Sequence, residues 1–513
     1  MRIQGWLMTG LLAIAITSQA QTTVPAAPVI ESLGLTAADA GWTYREPGRD
    51  AKVLTAEQNA VVAEFLKTGA SSPETLAAWC RARGVEPASA VSALLAAPSS
   101  SGTAAAPAAH DDAAAVKEAA ERGRALSAAL GAAPDFDAKG HRPLDVTLRW
   151  GSAPRAEATG RNLETVYGLY GRGTDVLLDK AGAGEGGAGV AARLAKAPVD
   201  LGLAWTTTLA GHELGHFEAA WLAGAKNVSW AKADGPYAFG RITEVASEDW
   251  ARMSAAGRQA FNAGGTMATQ AAAAALRASM FERGEADWTQ WPLMFFRKAD
   301  MTAYGLTAPK PSQAGALDGA NDMTSYARLY GERSGRGGDA VHADIVRGAV
   351  WNMLDPMGLY SAYGYLGRYV IGGERTQKVP GVELGGRTWM AGTGFWLSEV
   401  GARYSMTVLS RGKKGDMIET TASTGEGQPA AAVRWSDDVG AGVRARLGLD
   451  AWSQRAAAEQ GPKSLGGALT VGAEKKFGKV SAFAEVGRKT TGAMLGQTHG
   501  AGTFYTIGLS GSF

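Results

Sequence analysis

The sequence predicts a multidomain α+β protein: a mostly helical block followed by a C-terminal antiparallel β-barrel of about eight strands. Two observations carry this reading. Hydrophobic periodicity changes near residue 385, from helical spacing to strict alternation. Before that point the segments are alanine-rich, amphipathic and separated by glycine clusters such as Gly182 to Gly189. None of them offers the ~18 uninterrupted apolar residues of a membrane-spanning helix.

Composition narrows the function classes. The chain has 513 residues, 51 Lys+Arg against 49 Asp+Glu, one cysteine and six histidines. A formal charge of +2 gives no clustered basic excess, so nucleic acid is not an expected partner. Cys80 alone can form neither an intrachain disulfide nor a cysteine-rich zinc site. A hydrophobic content of 46% supports a large core.

Residues 1–20 read as a signal peptide. Arg2 supplies the positive start, Trp6 to Ile16 the short apolar run, and Ser18-Gln19-Ala20 the small-residue cleavage site. The expected mature chain is exported. Residues 21–140 read as a helical accessory region. Thr55 and Gln58 fit a capping box, Ser72-Pro73-Glu74 opens a helix, and the Ala/Pro/Ser stretch from Pro98 is linker composition. A further alanine-rich helix is expected from Asp112 to Leu130. Residues 141–375 form the main helical block. Its glycine-rich DKAGAGEGGAG is a loop, not a phosphate cradle, because no Gly-Lys-Ser/Thr follows it. Asn352, Asp355 and the tyrosine-rich run to Tyr369 are expected to pack against the other helices.

Residues 385–513 are the predicted barrel. Val443, Ala445, Leu447 and Leu449 alternate with Arg444, Arg446, Gly448 and Asp450. Similar alternation runs through Leu465–Glu474, Lys479–Val486 and Tyr505–Phe513. Further strands fit Trp389–Leu397, Ala402–Ser410, Asp416–Ala422 and Ala430–Trp435. One face of each strand is apolar and could meet lipid; the other is small, polar or charged and could fill a narrow lumen. Phe513, an aromatic last residue on an alternating strand, resembles the C-terminal signature of bacterial outer-membrane proteins. Connections 411–415, 436–440 and 475–479 are short, whereas 453–464 and 488–500 are longer, the asymmetry expected of a membrane barrel. The expected location is the outer membrane, with lipid around the barrel and the helical block in the periplasm. The alternative is a soluble periplasmic or secreted protein, since soluble β-domains also alternate.

One motif carries chemistry. His212-Glu213-Leu214-Gly215-His216 is an H-E-x-x-H sequence within TTTLAGHELGHFEAAWLAG, which reads as a helix. Residues i and i+4 project from one helical face, so both imidazoles can bind one Zn2+ ion. Glu213 stands beside them, placed to take a proton from water activated by the ion. With six histidines in the chain, a chance occurrence is on the order of one in a few hundred.

These residues resemble a family. HELGHFEAAWLAGAKNV is similar to the first catalytic helix of the site-2-protease-like zinc metallopeptidases, in which HELGH is followed by a small-residue helix and a glycine-containing turn. The segment Ala256-Gly257-Arg258-Gln259-Ala260-Phe261-Asn262 is similar to that family's A-G-P-x-x-N, with Arg258 in place of proline and the asparagine one place late. Leu317-Asp318-Gly319-Ala320-Asn321-Asp322 is similar to its L-D-G segment, whose aspartate is the third zinc ligand. The resemblance covers roughly residues 200–330, and HELGH is its specific part. It implies a zinc-dependent peptidase acting on a peptide or protein substrate. The missing membrane helices depart from the family and favour a soluble or surface-lying catalytic domain.

Three residues compete as the third ligand. Asp322 precedes MTSYARLYG and is expected at a helix N-terminus, a rigid place from which to reach a metal; an N-cap would look the same. Glu244, in TEVASED, resembles the second-helix glutamate of soluble gluzincins, with Glu248 then orienting a histidine. Yet Phe239 to Thr243 could be extended, which would leave Glu244 off a helix. Asp318 matches by letter, though Asp-Gly is also a common turn. His342 is a weaker candidate. We take Asp322 first. The expected protein is a zinc metallopeptidase anchored by its barrel, with His212, His216 and Asp322 on the metal and Glu213 as the catalytic base. Its rivals are a non-enzymatic outer-membrane protein whose helical module binds a partner, and a soluble secreted metallopeptidase with a β-rich C-terminal domain.

Overall fold

The computed structural model describes residues 35–38, 41–44, 52–53, 145–151, 155–232, 241–314, 321–426, 428–454, 463–496 and 500–512. The expected signal peptide, the three helices expected in 21–140, Asp318 and Phe513 lie outside these residues. The chain divides into two compact units, 1–117 and 118–513. In the first, the described residues form a small antiparallel sheet of β1 (Leu35–Ala38), β2 (Gly41–Tyr44) and β3 (Lys52–Val53), within a region read from sequence as helical.

The first described element of the second unit is a strand, β4 (Asp145–Gly151). It is a strand that the reading of 141–375 as a mostly helical block did not single out. The segment alternates Val146 and Leu148 with Thr147 and Arg149, so its pairing potential is local even though its partner is distant. Helices α1 (Arg155–Lys180) and α2 (Gly186–Leu222) follow. A hairpin of β5 (Val228–Lys232) and β6 (Arg241–Val245) leads into α3 (Ser247–Arg252) and the long α4 (Ala255–Arg283). Ser254 caps α4 by accepting from the Gly257 amide, and Gly284 ends it in the left-handed conformation. Next come β7 (Glu285–Asp287), α5 (Gln290–Thr307), α6 (Asp322–Ser334), α7 (Gly338–Met353) and α8 (Pro356–Tyr363). Asp355 caps α8, which continues as a π-helix over Gly364–Ile371. Strands β8 (Thr376–Lys378) and β9 (Val382–Leu384) then lead to the C-terminal strands.

Those strands are β10 (Arg387–Ser398), β11 (Gly401–Gly412), β12 (Met417–Thr424), β13 (Ala430–Gly440), β14 (Val443–Gln454), β15 (Ser464–Phe477), β16 (Val480–Lys489) and β17 (Gly502–Ser512). They are the eight strands that the alternation predicts. With β9 and β4 they form one antiparallel sheet of ten strands, in the order β4-β17-β16-β15-β14-β13-β12-β11-β10-β9. The first described strand of the unit therefore pairs with the last, Leu148 opposite Leu509.

Register shows which residues share a face. Tyr505, Val486, Val471, Leu447, Trp435 and Ile418 form one cross-strand row on the outer face. Its neighbours Leu449, Leu469 and Ile507 are each about half exposed. The inner face carries Arg149, Thr407, Glu419, Arg434, Arg446, Glu474 and Glu485. These line polar cavities against α1 and α4, one of ≈ 280 Å³. Here polar side chains face the helices and aliphatic ones face out. Two apolar clusters nonetheless tie sheet to helices. One joins Leu276, Met280, Phe281, Trp288 and Trp291 to Met390 and Leu409. The other joins Met323, Tyr326 and Ile345 to Phe395 and Leu397. Full burial of such side chains stabilises by about 1.5–3 kcal/mol each.

Both outer edges of the sheet end against helices. Thr165 of α1 accepts from the Thr147 amide and donates to its carbonyl, at 2.9 and 3.0 Å. Asn162, one turn earlier, does the same for Arg149 at 2.8 and 3.1 Å. Two side chains thus stand in for a neighbouring strand. At the other end β9 covers only Arg387 to Trp389. Beyond it, Asp355 accepts from the Thr393 amide and Lys298 donates to the Thr393 carbonyl. Gln259 and Tyr326 donate to the Ser398 carbonyl. Exposed edges invite foreign strands; these are occupied by side chains of the same unit.

Candidate metal centre

The site forms where α2 and α4 cross. Ala204, Thr208, His212, Gly215 and Ala219 are buried along one face of α2. At the crossing, a Cβ added to Gly215 would lie 2.4 Å from the Gly264 carbonyl oxygen, and one added to Gly264 would lie 2.7 Å from that of Gly215. Only glycine lets the two backbones approach this closely. The next residue, Gly265, lies beneath both imidazoles. Its added Cβ would be 2.3 Å from His212 Nε2 and 2.5 Å from His216 Nε2.

The histidines meet as their i, i+4 spacing predicts. Their Nε2 atoms are 3.0 Å apart. The Asp322 Oδ2 atom is 3.2 Å from His216 Nε2 and 3.8 Å from His212 Nε2. Among the described residues these three form the one acidic or histidine group compact enough to hold an ion. Asn321, not Asp322, is the N-cap of α6; it accepts from the Thr324 amide. Asp322 is the first helical residue, so its carboxylate is not used in capping.

Each imidazole is anchored through its other nitrogen. His212 Nδ1 donates to Asp300 Oδ2 of α5 at 2.9 Å, and Thr269 of α4 donates to the same oxygen at 2.7 Å. His216 Nδ1 donates to the Phe261 carbonyl at 2.6 Å. With Nδ1 carrying the proton, both Nε2 lone pairs point at one another and at a carboxylate. A proton or a metal ion between them would relieve the repulsion of these electron pairs. Burial pushes both imidazoles down, but the carboxylates outweigh it. Asp300 holds His212 well above the usual histidine range, and Asp322 raises His216. Burial likewise pushes the Asp322 carboxyl up, yet the two histidines hold it well below the carboxylate range.

The donor set fits a tetrahedral metal. Ligand bonds of 2.0–2.2 Å at tetrahedral angles place donor atoms about 3.4 Å apart, close to the 3.0, 3.2 and 3.8 Å found. Carboxylate and carbonyl partners on the remote ring nitrogens are the usual supports of metal-binding histidines.

Glu213 lies half-buried beside the pair, on the side of the hairpin. Its Oε2 accepts from the Thr243 amide at 2.7 Å, and the Thr243 hydroxyl donates to the Glu213 carbonyl at 2.8 Å. Thr243 is on β6, so alternation turns Glu244 away, and Glu244 is exposed. Glu244 is therefore not part of the cluster. Glu248 is also exposed and accepts from Asn227. His342 is buried elsewhere, bonded to the Ala308 carbonyl.

Asp300, Thr269, Gly265 and Thr243 were not singled out from sequence. The available signal for Asp300 was the run Arg297-Lys298-Ala299-Asp300 inside an apolar helix; all three charged residues are buried. No protein-family model, curated protein or solved structure matches the chain.

Proposed function

We propose that the protein is a zinc-dependent metallopeptidase, with His212, His216 and Asp322 holding the ion and Glu213 as general base. The observation that carries this reading is the pair of Nε2 atoms at 3.0 Å, both directed at one carboxylate and both braced from behind. A bound zinc ion would supply Lewis acidity to a water molecule and to the substrate carbonyl. The chain's own residues do the rest. The Thr243 amide holds Glu213 Oε2, leaving Oε1 to accept the proton of the attacking water. Glu213 then returns that proton to the leaving amine. Asp300 and the Phe261 carbonyl keep each ring turned with Nε2 inward.

The proposed setting is the outer membrane, with lipid against the outer face of the sheet. The inverted polarity supports this: Leu447, Leu449, Leu469 and Val471 are exposed, while Arg434 and Arg446 face the helices. Transmembrane barrels show an apolar outer band and a polar interior.

The test is Glu213→Gln. Hydrolysis of an unstructured protein such as β-casein should fall by about 10²- to 10⁴-fold, while zinc content by mass spectrometry stays at one ion per chain. Undiminished hydrolysis in that variant would overturn the mechanism.

A further inference from the structure

The outer apolar surface does not stop at β10. Beyond that edge lie α7, α8 and the π-helix. The segments Pro356–Tyr363 and Gly364–Ile371 form one continuous rod of two 8-residue pieces. Its inner side is firmly seated. Met357, Ser361, Tyr365 and Tyr369 are buried, and Gly364 lies against the Trp291 ring. Its other side is a stripe of Leu359, Tyr363, Leu366 and Ile371, each at least half exposed. Val350 and Met353 of α7, and Leu354 that follows it, are also exposed. The adjoining Trp351 bonds the Ser405 carbonyl of β11, next to exposed Met406. The apolar surface is therefore continuous from the sheet onto the helices.

Charge follows the same plan. The rod carries one ionisable side chain besides its tyrosines, Arg368, which is paired with Glu374 and donates to the Tyr360 hydroxyl. No helix among the described residues is long and apolar enough to cross a membrane. This rod differs from such a helix because only one of its faces is open. Its length, roughly 20–24 Å at helical rise, is close to the ~25 Å apolar band of membrane barrels. From Ile371 the chain runs through β8 and β9 to the start of β10. That end of the sheet carries the exposed lysines Lys413, Lys414 and Lys479 in the β11–β12 and β15–β16 turns and Lys476 at the end of β15. Acidic residues at this end include Asp437 and Asp438 beside the β13–β14 turn, Glu383 on β9, and Asp416, which is paired with Arg387. A rim with excess lysine complements anionic phospholipid headgroups.

We propose that the 356–371 rod, with the outer face of α7, is part of the lipid-facing wall. Helices then complete on one flank the surface that the strands begin, and phospholipid acyl chains cover both. This rests on the membrane reading above and extends it to residues outside the predicted barrel.

The experiment uses the full chain with Cys80→Ser and single cysteines introduced one at a time. Leu359→Cys and Leu366→Cys report on the rod, Leu449→Cys and Val471→Cys on the sheet, and Lys413→Cys on a turn. Each is labelled with an environment-sensitive fluorophore. Each is then reconstituted into phosphatidylethanolamine–phosphatidylglycerol vesicles with brominated acyl chains. All these side chains are exposed, so substitution removes no core packing. Rod and sheet labels should lose fluorescence to a similar extent, and the Lys413 label much less. Quenching of the sheet labels alone would overturn the helical wall and leave the membrane reading intact. Quenching of neither would overturn both.

Discussion

Two of the buried polar clusters in the helical part of this protein differ in one respect. Around Asp200 and Asp175 the donors are complete. Asp200 accepts from Tyr170, Tyr365 and Lys196 at 2.8 to 3.0 Å. Asp175 accepts from Trp288 and Tyr369, both at 2.7 Å. The Lys196 ammonium also lies 4.0 Å above the Trp288 ring. Around His212 and His216 the opposite holds. Two ring nitrogens and a carboxylate converge on one point, and Asp300 Oδ1 is buried without a hydrogen-bond partner. A satisfied buried network holds a fold together, whereas an unsatisfied one is arranged around something else. The first cluster is read as structure and the second as a binding site.

The contrast can be broken at either end. The largest effect is expected at the complete cluster. Lys196→Met leaves the buried Asp200 carboxylate without its cation and should destabilise the protein by about 3–5 kcal/mol in denaturant titration, with zinc content unchanged. Zinc loss in that variant while folded would show that the clusters are coupled. Next is Gly265→Ala, whose methyl group fills the space between the two Nε2 atoms. Zinc at a hundredfold excess over its Kd should stabilise the native chain by about 2.7 kcal/mol and the variant not at all; equal thermal shifts would place the metal elsewhere. Asp300→Asn keeps the shape but removes the carboxylate behind His212. Zinc affinity should weaken by about 10- to 100-fold, measured by competition with a chelator. The smallest effect concerns the sheet edge. Thr165→Val deprives the Thr147 amide and carbonyl of their partner, at a cost of about 1 kcal/mol, and the Thr147 amide should exchange faster with deuterated solvent.

Much of this was legible in the residues because its causes are local. A strand exposes alternate residues to different surroundings, so the eight strands from Arg387 to Ser512 announce themselves by period. A helix turns every 3.6 residues, so HELGH brings two imidazoles together whatever surrounds it. Asp322 was legible as a residue at a helix start. Its role could not be separated from capping until Asn321 was seen to take the cap.

What remained hidden depends on segments far apart in the chain. Asp300 reaches His212 across 88 residues and Thr243 reaches Glu213 across 30. No spacing rule links such positions. β4 alternates as clearly as any later strand, but its partner β17 lies at the other end of the unit. The same is true of the sheet's limits, where Asn162, Thr165, Asp355 and Lys298 occupy backbone groups that alternation alone would leave open. By itself, the sequence determined the periods, the histidine pair and the polarity of each strand face, since these follow from the backbone geometry of single elements. Tertiary structure alone decided which carboxylates brace and complete the pair, and that the sheet ends on helices, because those outcomes depend on distant segments satisfying one another's polar groups.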